Sequence, residues 1–166
     1  MTDGFRRRMN EAPPEVQEAY EKMQRGASGG ALKLLADTPN LLKDFLAHYG
    51  IVGQSLPRRV YEMVYIRISA TNQCHSCLRL HIASAKRIGM GSAEWEALQA
   101  GAYVQFTAEE QAALLFADKL IREPGNVTDA DFAALKQFFS AEQVVDLDML
   151  VELFNATTRP ATVTES

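Results

Sequence analysis

One short segment of the chain carries most of its chemical potential: Cys74-His75-Ser76-Cys77, followed four residues later by His81. It contains both cysteines of the 166-residue chain. Two thiols separated by two residues can close into a disulfide or bind a metal ion. If a helix begins at Cys74, Cys77 and His81 lie one turn apart on the same face, where an imidazole can exchange a proton with a thiol.

This arrangement is suited to thiol redox chemistry. A cysteine at the start of a helix favours the thiolate, because unpaired backbone N–H groups and the helix dipole stabilise negative charge there. Peroxide reduction needs a thiolate that attacks oxygen, a proton for the leaving hydroxide, and a second thiol that resolves the sulfenic acid. Cys77, Cys74 and His81 could supply all three, whereas Arg79 is predicted to point elsewhere.

The group that would orient or protonate His81 is predicted to be Glu62. This residue lies among Tyr61, Met63 and Val64 in a largely apolar segment that should form a neighbouring helix. A carboxylate is costly to bury without a partner. We therefore expect Glu62 to face the thiol segment.

A CxxC pair alone does not decide between redox chemistry, metal binding and packing. A zinc site needs about four ligands. Cys74 and Cys77 with His75 or His81 give three, and Glu62 could be the fourth. Glu62 taken alone is more often a solvated residue than a catalytic one.

Composition describes the kind of protein that carries this segment. The chain is 47% hydrophobic, which fits one compact domain, and its net charge of −4 gives no reason to expect nucleic acid or an anionic membrane as a partner. No stretch approaches the roughly 18 apolar residues that span a bilayer, and the N-terminus has no signal-peptide core. We therefore expect a cytoplasmic protein, in which structural disulfides are uncommon.

The hydrophobic periodicity is helical almost throughout, which predicts an all-α fold, a compact bundle of about seven or eight helices. A helix after Pro57 should carry Glu62 and end near Ser69, and the thiol segment should open a helix that runs to Arg87. The other predicted starts are Asp37-Thr38-Pro39, Ser92, Thr107, Thr128 and Ser140, with stops at Gly50, Gly89 and Gly101 and a frayed tail from Pro160.

Three regions are predicted along the chain. Residues 1–30 form an N-terminal helical arm with a flexible linker, residues 31–160 form the helical domain, and residues 161–166 form a tail. Within the domain, Leu41, Leu42, Phe45, Leu46 and Tyr49 are predicted to mark the buried face of one helix.

Eleven residues separate Glu62 from the Cys74-x-x-Cys77 pair, and three residues separate that pair from His81. This spacing resembles the signature of the alkylhydroperoxidase AhpD-like proteins, within the carboxymuconolactone decarboxylase family. The similarity covers about residues 38–159. It includes Leu56-Pro57-Arg58, Ala83–Gly89, Glu96–Gly101, Val127–Asp131, and Leu153–Ala156 with Arg159.

The resemblance implies that Cys77 is the peroxidatic thiol, that Cys74 is the resolving thiol, and that Glu62 and His81 form a proton relay. It implies a hydroperoxide or small disulfide substrate, a thioredoxin-like or lipoyl-bearing protein as electron donor, and no organic cofactor. It also implies a homo-oligomer, either a trimer or a hexamer.

One position departs from the family pattern. AhpD-like proteins commonly have histidine or tyrosine immediately before the second cysteine, where this chain has Ser76. A serine at this relay position can hydrogen-bond but cannot carry a proton at neutral pH, so we expect weak peroxidase activity or a different substrate. Two other functions stay open: decarboxylation of a lactone, although family members that do this generally lack the cysteine pair, and a non-catalytic redox sensor.

Overall fold

The computed structural model describes residues 38–164 continuously, with side chains to residue 159 except that of Pro39, and the isolated helical positions Pro14, Gln17, Glu18 and Glu21. Apart from these four positions, the predicted arm and linker over residues 1–30 lie outside the described residues, as do residues 31–37 of the predicted helical domain and residues 165–166 of the predicted tail.

The prediction of an all-α fold is confirmed. Between residues 38 and 164 the chain forms seven α-helices, one short 3-10 helix and no strand. The helices are α1 (Pro39–Ile51), α2 (Arg58–Thr71), α3 (His75–Arg87), α4 (Ser92–Ala100), α5 (Ala108–Arg122), α6 (Asp129–Leu135) and α7 (Ala141–Thr164), with the 3-10 helix Pro124–Asn126 between α5 and α6. None of these helices is long and apolar enough to cross a bilayer.

Helix starts follow the capping residues of the sequence. At the start of α5, the backbone N–H of Glu110 donates to Thr107 Oγ1 at 3.2 Å, and the Thr107 N–H donates to the Glu110 carboxylate at 2.9 Å. Ser140 and Gln143 form the same reciprocal pair before α7. Each pair gives hydrogen-bond partners to two backbone N–H groups at the start of a helix, which fixes where the helix begins.

Helix ends agree with the sequence at two glycines and differ elsewhere. Gly89 and Gly101 end α3 and α4 with φ angles of 87° and 72°, a left-handed conformation that favours glycine. Helix α1 ends at Ile51 rather than at Gly50. Helix α7 continues through Pro160 to Thr164, where the sequence predicts a frayed tail, because a proline removes one backbone donor without always ending the helix.

Helix α2 forms the centre of the bundle and packs against α3, α4, α5 and α7. Its nine buried residues include Val64, Ile66 and Ile68, all fully inaccessible to solvent. A helix buried on every side has few surface positions, so its polar residues Glu62 and Arg67 are necessarily taken into the core.

The predicted buried face of α1 is wrong at Leu41, confirmed at Leu42 and confirmed only in part at the other three positions. Leu42 is fully buried, but Leu41 is 54% exposed, and Phe45, Leu46 and Tyr49 are only half-buried. Apolar spacing predicts which residues share a face, but not how much of that face the neighbouring helices cover.

Candidate active site

The turn between α2 and α3 sets the two helices side by side in opposite directions. The Cys74 N–H donates to the Ser69 carbonyl at 2.9 Å, and Gln73 has a positive φ of 56°. The Asn72 side-chain amide donates to Asn155 Oδ1 at 2.9 Å and to Thr158 Oγ1 at 2.7 Å, both on α7. The turn is therefore held by hydrogen bonds to both α2 and α7, and it fixes where α3 begins.

Both cysteines lie where the sequence predicts, at the first turn of α3. Cys74 is the residue that precedes the helix, Cys77 lies within its first turn, and the two form a disulfide with Cα atoms 5.4 Å apart. Cys74 is fully buried and Cys77 is 6% exposed. Ser76 is half-buried, with its Oγ 3.6 Å from Cys74 Sγ.

Glu62 turns inward and meets His81. The carboxylate oxygen Oε2 lies 2.7 Å from His81 Nδ1, and the exposed fractions of the two residues are 0% and 5%. The contact predicted from the sequence is therefore present. His81 follows Cys77 by four residues on α3, so the imidazole and the thiol segment share one face of that helix.

The second carboxylate oxygen of Glu62 is held by two residues that the sequence analysis did not assign to the site. Ser84 Oγ donates to Oε1 at 2.5 Å, and Arg58 Nη2 lies 2.5 Å from the same oxygen. Arg58 Nη2 also donates to Ser84 Oγ at 3.2 Å. Helical spacing could have indicated both, since Arg58 precedes Glu62 by four residues and Ser84 follows His81 by three.

Aromatic side chains enclose the imidazole. The Tyr65 ring stacks on the His81 ring, with centroids 3.3 Å apart and planes inclined by 13°. Phe154 packs behind Tyr65 at 3.8 Å between centroids, and the hydroxyls of Tyr49 and Tyr65 are 3.3 Å apart. These contacts prevent the His81 ring from turning away from Glu62. Tyr65 follows Glu62 by three residues, which is the only sequence signal for its role.

The surroundings set the charge of this pair. Burial raises the pKa of Glu62, but the hydrogen bond and charge of His81, the Ser84 hydroxyl and the Arg58 guanidinium outweigh it and hold that pKa below its ordinary value. Burial lowers the pKa of His81, and the Glu62 carboxylate offsets this only in part. At neutral pH the pair is therefore a carboxylate beside a neutral imidazole.

This protonation state assigns the two ring nitrogens of His81. A carboxylate only accepts hydrogen bonds, so Nδ1 carries the proton and Nε2 has the free lone pair. Nε2 is buried and has no hydrogen-bond partner among the described residues. The site thus presents an oriented base whose accepting atom is not used by the protein in the disulfide form.

Two neighbouring candidates are not part of this arrangement. His75 and Arg79 are exposed.

Both cysteine sulfurs are bonded to each other, and no group of three or more His, Cys, Asp or Glu side chains within the described part of the chain is placed to hold a metal ion. The zinc ligand set considered from the sequence is not assembled in this structure.

The sequence profile of the carboxymuconolactone decarboxylase family matches residues 39–119, a range that contains Glu62, both cysteines and His81. The match covers about half of the chain, which is similar to this family over that range. The chain is also 28% identical to the uncharacterized protein YdfG of Bacillus subtilis (strain 168) over 107 residues, which are 63% of this chain and 73% of YdfG.

Solved structures share the fold of this chain. The alkylhydroperoxidase AhpD core of an uncharacterized peroxidase-related protein from Ralstonia eutropha JMP134 superposes with a TM-score of 0.77 at 22% identity, covering 93% of this chain and 85% of that one. An uncharacterized peroxidase-related protein from Silicibacter sp. TM1040 gives a TM-score of 0.76 at 26% identity, with coverages of 92% and 84%. The debrominase Bmp8 gives 0.75 at 17% identity, with coverages of 92% and 85%.

Proposed function

We propose that the protein is a thiol-dependent peroxidase that cycles Cys74 and Cys77 through their disulfide. The observation that carries this proposal is the buried Glu62–His81 pair, which leaves the lone pair of His81 Nε2 without a partner on the helix face that holds Cys77. A base placed beside a thiol at a helix start is the arrangement that thiolate chemistry requires.

The first step is activation of the thiol. In the reduced protein, His81 Nε2 accepts the proton of Cys77, and the Glu62 carboxylate stabilises the imidazolium that forms through its bond to Nδ1. Arg58 and Ser84 occupy the other carboxylate oxygen, so Glu62 keeps its orientation while the charge on His81 changes. The helix dipole of α3 further favours the Cys77 thiolate.

The second step consumes the peroxide. The Cys77 thiolate attacks the terminal oxygen of a hydroperoxide, the O–O bond breaks, and the His81 imidazolium gives its proton to the departing alkoxide, which leaves as an alcohol. Cys77 is then a sulfenic acid. The Cys74 thiol attacks it, the disulfide forms, and water is released.

The third step restores the thiols. A dithiol on a thioredoxin-like or lipoyl-bearing protein supplies two electrons and two protons, and its own disulfide forms. Ser76 can hydrogen-bond to Cys74 Sγ but does not carry a proton at neutral pH, so the proton path runs through His81 alone. By analogy with AhpD-like proteins, the working form is a trimer or hexamer. We further propose a cytoplasmic location, where dithiol donors keep cysteines reduced.

A single-turnover experiment tests the proposal. Reduced protein, freed of reductant, receives one equivalent of hydrogen peroxide or of tert-butyl hydroperoxide, and mass spectrometry follows the cysteines. The unaltered protein should form the Cys74–Cys77 disulfide. Cys74→Ser should accumulate a sulfenic acid on Cys77 that dimedone traps, and Cys77→Ser should leave the peroxide unconsumed.

Other outcomes would contradict the peroxidase. Peroxide consumption that persists in Cys77→Ser would remove the role given to that thiol. Oxidation by a small disulfide but not by either peroxide would indicate a disulfide reductase. One round of oxidation without turnover when a dithiol is supplied would indicate a redox sensor, and conversion of a muconolactone after alkylation of both thiols would indicate a decarboxylase.

A further inference from the structure

Two buried side-chain polar atoms lack a hydrogen-bond partner within the described residues, His81 Nε2 and Ser69 Oγ. The proposed function uses the first of these atoms. The second belongs to a serine that neither the sequence motif nor the peroxidase mechanism explains.

Ser69 lies at the cysteine end of the interface between α2 and α3. It follows Glu62 by seven residues and Tyr65 by four, so the three share the helix face that meets His81. Its carbonyl accepts the backbone N–H of Cys74 at 2.9 Å. Ser69 and Cys74 are each fully inaccessible to solvent.

The position of these two atoms is informative because buried hydroxyls and ring nitrogens in folded proteins almost always find a partner. Leaving one unsatisfied costs free energy that the rest of the fold has to offset. Both exceptions lie between the same two helices, one at the end of that interface near Cys74 and the other on the face of Cys77. While the cysteines are bonded to each other, neither atom forms a hydrogen bond to a sulfur.

We propose that Ser69 is a thiol-binding residue: its hydroxyl donates a hydrogen bond to Cys74 Sγ once the Cys74–Cys77 bond is reduced, as His81 Nε2 serves Cys77. The proposal rests on the cycle described above. Reduction by a dithiol breaks the S–S bond, transfers two electrons and two protons to the cysteines, and closes the donor's own disulfide. A thiol or thiolate is a better hydrogen-bond acceptor than a disulfide sulfur, particularly when charged.

This assignment has a consequence for the redox equilibrium. Reduction gives Ser69 a partner that it lacks in the disulfide form, so the hydroxyl stabilises the reduced protein relative to the oxidised one. The equilibrium with a dithiol should therefore lie further toward the reduced protein than it would without this hydroxyl. Ser69 would in this way keep the protein ready for the next peroxide.

The test compares Ser69→Ala with the unaltered protein in buffers of reduced and oxidised dithiothreitol, with the thiol state read by alkylation and mass spectrometry. The equilibrium constant should shift about two- to tenfold toward the disulfide in Ser69→Ala, the range expected for the net contribution of one hydrogen bond. Thr71→Val is the matched control. It removes a hydroxyl from the same end of α2, where Thr71 Oγ1 donates to the Arg67 carbonyl of its own helix at 3.0 Å, and it should leave the equilibrium unchanged.

Denaturant unfolding of each redox form supplies a second readout that a general packing role would not reproduce. Ser69→Ala should leave the oxidised form as stable as before, or more stable, and should destabilise the reduced form. An unchanged redox equilibrium, or an equal loss of stability in both forms, would overturn the proposal.

Neither measurement involves a peroxide. A protein that shows the Ser69 effect but does not consume peroxides would refute the peroxidase and retain this assignment. A protein that consumes peroxides with no Ser69 effect would do the reverse.

Discussion

Helix α2 buries two opposite charges, Glu62 and Arg67, five residues apart on different faces. Arg67 donates to Asp118 at 2.6 Å and to the carbonyls of Leu98 and Gln99 at 3.3 and 3.1 Å. These carbonyls belong to the end of α4, so the guanidinium joins α2 to both α4 and α5. The cluster around Glu62 joins α2 to α3 in a similar way.

The two clusters differ in how they end. The second oxygen of Asp118 accepts the Tyr103 hydroxyl at 2.5 Å, so hydrogen bonds run from Arg67 to Tyr103 through both oxygens of the carboxylate. The chain of bonds from Arg58 through Glu62 ends instead at the lone pair of His81 Nε2, which has no partner in the part of the chain that the structure describes. A closed network stabilises a fold, whereas a network with one accepting atom left over can also take a proton from a neighbour.

The largest effect is expected at the closed network. Arg67→Met should lower the free energy of unfolding by about 3 kcal/mol, because two carbonyls lose their donor and the partly exposed Asp118 is left with Arg122, at 4.0 Å, as a charge partner. The rate at which folded, reduced protein reacts with hydrogen peroxide should stay within about twofold. Urea unfolding and stopped-flow kinetics measure the two quantities. A large loss of rate without a loss of stability would contradict the distinction between the clusters.

The network around Glu62 and His81, called the open network below, should show the reverse pattern, a large loss of rate rather than of stability. Glu62→Gln keeps the size of the side chain but removes the charge that stabilises the His81 imidazolium, so the reaction of Cys77 with hydrogen peroxide should slow by about 100-fold, within the range for general-base catalysis. Glu94→Gln is the control, since Glu94 pairs with Arg59 at 2.5 Å on another side of α2. An equal rate in both variants would remove Glu62 from the mechanism.

Acid should weaken the open network first. Burial lowers the pKa of His81 below its ordinary 6.5, so below pH 6.5 the unfolded chain binds a proton that the folded protein refuses. Stability should therefore be complete above pH 6.5 and fall on acidification, by up to about 1.4 kcal/mol per pH unit for this one group. His81→Gln should flatten this part of the curve. The lowered pKa of Glu62 adds a second loss only below its ordinary 4.5.

The smallest loss of reaction rate is expected at Tyr65, whose ring stacks on the His81 imidazole. Tyr65→Leu removes the stacking partner of His81 and should slow the reaction of Cys77 by about tenfold, since a loosely held base is less often correctly placed. Tyr65→Phe keeps the ring, losing the hydroxyl contacts with Tyr49 and Thr157, and should stay within about twofold. If Phe and Leu behaved alike, the hydroxyl rather than the ring would be the important group.

The helix starts and the role of Glu62 can be predicted from the sequence. The capping boxes at Thr107 and Ser140 are local signals, so they fix helix starts whatever the tertiary structure does. Glu62 is predictable because an isolated carboxylate on an apolar helix needs a partner. His81, four residues after Cys77, is that partner.

The remaining features depend on how helices pack. Ser84, Arg58 and Tyr65 are common residue types in helical positions, and only the register of α2 against α3 brings them to Glu62 and His81. The exposure of Leu41 follows from how little of α1 its neighbours cover. The isolation of the Ser69 hydroxyl is likewise a property of the packed interface, which no sequence pattern encodes.

The central claim is that His81 Nε2 takes the proton of Cys77. It is tested most directly by the rate of Cys77 alkylation against pH in reduced protein carrying Cys74→Ser, with and without His81→Gln. With His81 present, the rate should already be on its plateau at neutral pH. Without His81, the rate should still rise through neutral pH and level off only at a higher pH, closer to the behaviour of an ordinary thiol with a pKa near 8.5. Superimposable profiles would contradict the claim.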